Sequence, residues 1–147
     1  MSPSGTPDPD AAFARSFVRF VRGFGLLDQD HTPCGAPMSP AEAHALTVLL
    51  DGPTSQSGLG RQLRLPKSSV TRLVDGLVGR EWAARAPGPH DGRVRLVSLT
   101  APGRRAAADV VRRRQARLAV LLDRVPADQR DLVVRALTLL EEATRDA

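Results

Sequence analysis

The chain has 147 residues, 41% hydrophobic and 25% charged, with a formal net charge of +5, a length that suits one domain burying about 68–70% of its unfolded surface. It holds no run of 18 apolar residues and no signal-peptide pattern, so a cytoplasmic protein without a membrane span is expected, and its single cysteine, Cys34, excludes an internal disulfide. Three scattered histidines, no nucleophile beside a base and no phosphate-binding glycine loop argue against an enzyme.

Residues 1–9 are mostly Pro, Ser, Gly and Asp with nothing to bury, and read as a disordered tail. A helix is predicted from about Asp10 to Leu27, with Asp8 or Asp10 as its cap. All four phenylalanines of the chain, Phe13, Phe17, Phe20 and Phe24, fall in it within an arc of about 60°, while Arg15, Arg19 and Arg22 face the other way. Placing every copy of the largest apolar side chain on one terminal helix points to a dimer surface or a ligand pocket. The subunit's own core is the alternative. Residues 28–38 have three breakers and no periodicity, and read as a loop.

Ser39-Pro40-Ala41-Glu42 opens the next helix with an N-cap hydroxyl, Pro at the first helical position and Glu at the third, the pattern of a capping box. Asp51-Gly52-Pro53 ends it. A shorter helix runs from Ser55 as N-cap through Leu59 and Leu63. Gly58 and Gly60 inside it cost about 1 kcal/mol each relative to Ala, so packing must hold it. Arg64-Leu65-Pro66 then leads into a helix from Lys67 whose Val70, Leu73, Val74 and Leu77 share one narrow arc. Ser68, Thr71, Arg72 and Asp75 occupy the opposite arc. A merely solvated face would normally carry Glu/Lys pairs, and two short helices joined by a turn, the second with such a polar face, form the arrangement of a helix-turn-helix.

Beyond Leu77 the period changes. Ala83 to Ala86 and Val94 to Leu99 read as strands of a hairpin whose tip, Pro87 to Arg93, is rich in breakers and gathers Arg85, His90, Arg93 and Arg95. Thr100-Ala101-Pro102-Gly103 caps a long helix to about Arg124, and Pro126 starts a last one reaching Thr144, with a broad apolar face of Leu132, Ala136, Leu137, Leu139 and Leu140. Charge is segregated along this order: residues 1–60 sum to −3, 61–95 to +5, 96–117 to +5 and the rest to −2. Neutralising phosphates is the commonest use of such a central basic block.

The helix-turn-helix SQSGLGRQLRLPKSSVTRLVDGL, the hairpin RAPGPHDGRVRLVSLT with Asp91-Gly92-Arg93 at its tip, and Leu99-Thr100-x-x-Gly103 at the start of the long helix resemble the MarR family of bacterial winged-helix regulators over about residues 10–145. The resemblance implies a mainly α fold with a small β-hairpin wing. It divides the chain into a tail (1–9) and a single domain (10–147), whose dimerisation helices, about 10–27 and 104–145, flank a winged-helix region at about 39–100. It further implies a cytoplasmic homodimer on double-stranded DNA, acting as a repressor released by an unidentified small molecule, with no cofactor. Ser68, Ser69, Thr71 and Arg72 would meet base edges and phosphates, with Lys67 nearer the backbone. Arg93 would enter the minor groove, oriented by Asp91 through a charge-assisted bond, with Arg85 bracing the same loop. Ser55, Gln56 and Ser57 would hold a phosphate at the start of the supporting helix. Two departures stand out: Glu81 where the family usually has Gly, implying a different turn or a residue at positive φ, and Gly58 and Gly60 in place of side chains.

Other readings compete at a few positions. A winged-helix module docking a protein instead of DNA would show little salt dependence. His31, Cys34 and His44, with Glu42 nearby, are poorly spaced for structural zinc, and no metal is assigned. Cys34 as a redox switch lacks a basic neighbour in sequence to make a thiolate. Arg114 and Arg117 share the arc of Val110, Leu118 and Leu121 on the long helix. Either that stretch leaves the core and pairs across a dimer, or the two guanidinium groups hold an anionic effector against the Phe-rich first helix.

Overall fold

Asp8 opens the first helix of the computed structural model, which describes residues 8–145. Its carboxylate accepts the Asp10 amide at 3.1 Å, and Pro9 fills the first position, where a missing N–H costs nothing. This helix, α1 (Pro9–Phe24), stops three residues short of the expected Leu27 because Gly25 turns left-handed at φ 87 and its amide closes on the last carbonyls. Of the tail predicted as disordered, residues 1–7 lie outside the described residues, whereas Pro9 is helical.

Helix α2 (Pro40–Leu50) starts on the predicted capping box with both halves made: Ser39 Oγ accepts the Glu42 amide at 3.2 Å and Glu42 Oε2 accepts the Ser39 amide at 2.8 Å. A two-residue strand, β1 (Thr54–Ser55), precedes α3 (Gln56–Leu63) and α4 (Lys67–Gly79). The hairpin strands β2 (Ala83–Pro87) and β3 (Arg95–Leu99) follow, then the long helix α5 (Ala101–Asp123) and α6 (Arg130–Ala143). Pro126 opens a 3-10 turn (Ala127–Gln129) in place of the first turn expected for the last helix. The sheet is antiparallel in the order β1-β3-β2, with Thr54 opposite Val97, Ala83 opposite Leu99 and Pro87 opposite Arg95. The sequence had shown a two-stranded hairpin. Its third strand is too short for any periodicity to reveal.

Leu46, Leu59, Val74, Leu77, Val97 and Val110 are the largest fully buried side chains, drawn from α2, α3, α4, β3 and α5. Burial of this kind is worth about 1.5–3 kcal/mol for each Val or Leu. Gly60 eases the approach of α3 to α4: a Cβ there would sit 3.0 Å from Val70 Cγ2, and Val70 would have to give by a few tenths of an ångström to admit it. By contrast α1 and α6 bury no residue at all, and Phe13, Phe17, Phe20, Leu132, Val134, Leu137 and Leu139 are all about half exposed or more. The chain thus has a packed centre and two apolar terminal helices without a partner of their own. No helix among the described residues is long and apolar enough to cross a membrane.

Candidate functional site

Lys67, Ser68 and Arg72 are exposed on α4, and Ser69 and Thr71 are half-buried beside them, while Val70, Val74 and Leu77 face the core. The helix therefore presents the predicted polar arc outward. It is tied to its supporting helix by a link the sequence did not reveal: Gln56 Nε2 donates to Thr71 Oγ1 at 2.9 Å, and Thr71 in turn donates to the Lys67 carbonyl at 3.0 Å. Ser55 Oγ caps α3 on the Gly58 amide at 3.0 Å and touches Ser57 Oγ at 3.2 Å, so the three residues at the α3 start are held in one hydrogen-bonded cluster. Arg61 and Arg64 join Gln56, Ser57 and Lys67 along one open cleft. Arg61 in the last turn of α3 and Arg64 just past its end were the available signal for a wider basic face. Arg64 holds the turn between the two helices at φ 53, and its guanidinium donates to the Thr144 carbonyl beyond α6 at 2.6 Å. A cation at a helix C-terminus is favourably placed against the helix dipole.

In the hairpin two sequence expectations change. Arg85 does not brace the tip; it reaches back to Asp75 on α4 at 2.5 Å, because its place in β2 opposite Val97 puts it beside the helix and away from the loop. Asp91 accepts the backbone amide of Arg93 at 2.9 Å, which shapes the turn without orienting the Arg93 guanidinium. Arg93, His90 and Asp91 are all exposed at the tip.

The joint between helix and hairpin is where Gly was expected. Glu81 takes φ 60, as the departure in sequence implied, and the structure holds it there from outside. Thr100 Oγ1 donates to the Glu81 carbonyl at 2.5 Å, the Thr100 amide donates to the Trp82 carbonyl at 3.0 Å, and Thr100 also caps α5 on the Gly103 amide at 3.0 Å. A Cβ on Gly103 would lie 1.8 Å from the Trp82 carbonyl oxygen, so α5 starts in direct contact with the joint. Next to Glu81, Arg80 lies 4.7 Å over the Trp82 ring and 3.4 Å from Glu42 of α2.

A cavity of about 250 Å³ lies between α1, the loop after it, α2 and α5. Phe24, Leu26, Pro33, Pro40, Ala43 and Leu118 supply its apolar wall, and Cys34, His44, Arg114 and Arg117 its polar groups. The loop wall is fixed: Thr32, buried, accepts the Ala36 amide at 2.8 Å and contacts Cys34 Sγ at 3.1 Å, while Arg113 donates to the Gly35 carbonyl at 3.1 Å. Partial burial and then the Arg114 charge push the His44 pKa below the ordinary histidine value. Arg114 and Arg117 make no ion pair among the described residues, and no carboxylate lines the cavity. Of the four phenylalanines, Phe24 lines this cavity, Phe20 and Phe24 line a smaller hollow beside it with Arg117, and Phe13 stacks on Phe17 at 6.1 Å on the outer half of α1. His31, once grouped with Cys34 and His44, is elsewhere, 3.6 Å from Asp28, whose carboxyl is held low by the amides of Asp30 and His31.

Comparison with known proteins agrees with this geometry. A family profile described as MarR family matches residues 36–94. An uncharacterised HTH-type transcriptional regulator of Mycobacterium bovis is 32% identical over 134 residues, covering 90% of this chain and 93% of that protein. Among solved structures, RV1404 from Mycobacterium tuberculosis is similar with a TM-score of 0.73 at 25% identity over 96% of this chain and 98% of that one. The transcriptional repressor CouR bound to a 23-mer DNA duplex is similar in fold, with a TM-score of 0.71 at 24% identity over 91% and 92% of the two chains.

Proposed function

The chain belongs to the MarR family of winged-helix transcriptional regulators, and from that premise we propose that it is a homodimeric repressor that reads a near-palindromic operator and is released by a small anionic effector. The observation that carries the proposal is the exposed arc of Ser68 and Arg72 on α4, set beside a basic hairpin tip and joined to it by the Thr100 clamp on Glu81. One helix and one tip per subunit match a major groove and the adjacent minor groove. A repressor of the same fold has been seen on duplex DNA. Two-fold symmetry sets the half-sites about 34–36 Å apart.

In this reading Arg72 takes a base edge, Ser68, Ser69 and Thr71 serve bases or phosphates, and Lys67 meets the backbone. Ser55, Gln56 and Ser57 offer hydroxyl, amide and helix-start N–H groups to a phosphate. Arg93 enters the minor groove from a tip whose turn Asp91 sets. The unpartnered α1 and α6 supply the dimer surface, and the Arg114–Arg117 cavity takes the effector, an apolar body with a negative group. Mobility shift with the DNA flanking its own gene, repeated across salt, tests the whole. A complex that weakens steeply from about 50 to 200 mM salt is expected; no shift at the low end overturns it. Arg72→Ala should cost about 1–3 kcal/mol on the operator and flatten base preference, whereas Arg93→Ala should weaken specific and random DNA alike.

A further inference from the structure

The first turn of α2 is a wall shared by two spaces. On one side Pro40, Ala43 and His44 face the cavity; on the other Ser39, Ala41 and Glu42 face a groove whose far side is α4 at Ser69 and Arg72. A single hydrogen-bonded helical turn cannot yield on one face and stay still on the other. Glu42 stands at the point of transfer and divides its carboxylate. Oε2 accepts the Ser39 amide at 2.8 Å, locking the turn to itself, and Oε1 lies 3.4 Å from Arg80 Nε, one residue beyond the C-terminal end of α4. The Glu42 side chain is only 14% exposed, so its attraction for Arg80 is less screened than that of a surface pair. Arg80 is in turn stacked on Trp82, at the root of the hairpin.

We propose that Glu42 is the positioning residue through which an occupant of the cavity moves the DNA-reading helix: bulk against Pro40 and Ala43 tilts the first turn of α2, and the Glu42–Arg80 pair drags the C-terminal end of α4 and the base of the hairpin with it. The proposal rests on the cavity being the effector site. Glu42→Gln separates its two duties, because Gln at the third position still completes a capping box while the charge that holds Arg80 is gone.

Cys34, the only thiol of the chain, lines the cavity and allows it to be filled without knowing the natural occupant. The full-length dimer is alkylated with N-ethylmaleimide, one adduct per chain by mass, and its affinity for the flanking DNA compared with that of the unlabelled protein. Cys34→Phe delivers similar bulk if the thiol resists, and Cys34→Ser treated with the reagent is the control. Wild type should lose about tenfold or more on filling. Glu42→Gln and Arg80→Gln, unlabelled and with unchanged melting temperature, should bind DNA within about threefold of wild type and lose no more than about threefold on filling. Equal losses in wild type and Glu42→Gln overturn the role of Glu42 and leave the cavity as effector site. A filled wild type that binds DNA as tightly as before overturns both.

Discussion

At Glu81 the backbone takes φ 60, a conformation costing an L side chain about 1–2 kcal/mol, and the Thr100 hydroxyl bond to its carbonyl holds it there. Glu81→Gly should therefore gain about 0.5–1 kcal/mol net of the extra freedom of the unfolded chain, a rise of a few degrees in Tm. Calorimetry checks this, and a fall in Tm would show that the Glu81 side chain contributes more than its backbone costs. His44 makes a prediction about pH. Its pKa is lowered in the folded chain by burial and by Arg114, so below about pH 6.5 the unfolded state binds the extra proton more readily and stability falls as pH falls. His44→Gln should flatten that part of the stability curve between about pH 7 and 5, measured by denaturant midpoints. An unchanged slope would place the titration elsewhere.

Between elements, the Arg85–Asp75 pair fastens β2 to the exposed face of α4. Asp75 is 59% exposed and Arg85 26%, so a double-mutant cycle on thermal stability should find a modest coupling of about 0.5–1 kcal/mol that salt diminishes. Additive effects would mean that the ion pair adds nothing to the seating of β2 on α4. Why this pair was invisible in the sequence while the caps were plain follows from range. Ser39, Ser55 and Thr100 announce helix starts through bonds three residues long, and each caps as read. The buried arc of α4 was equally local. Arg85 reads from sequence as a brace for its own loop, and only the placement of β2 against β3 and α4 turns it to Asp75. The strand β1 needs Val97 and Leu96 as partners before it exists at all. The end of α1 was misplaced because Leu26 and Leu27 continue the apolar pattern past Gly25, where local φ outweighs periodicity. For the cavity, the sequence put Arg114 and Arg117 on one arc and could not show that the loop at Cys34 and the first turn of α2 close around them.

The molecule as a whole leaves its two terminal helices without cores. Leu132, Leu137 and Leu139 on α6 are 56%, 57% and 65% exposed, and α1 is similarly bare, which is more apolar surface than a stable monomer usually shows. Leu137→Glu should shift the protein toward monomer by sedimentation, make its Tm less dependent on concentration and cost most of its DNA affinity, since two half-sites are bound far better than one. A monomer that still binds full operator tightly would contradict the dimeric reading. The bond from Arg64 to the Thr144 carbonyl adds a matter of timing. Every large fully buried side chain precedes α6 in the chain, so the core of the DNA-reading unit is complete without it. Until α6 has formed, the turn between α3 and α4 lacks that acceptor for Arg64. The docking of α6 thus marks the difference between a folded reader and a finished one.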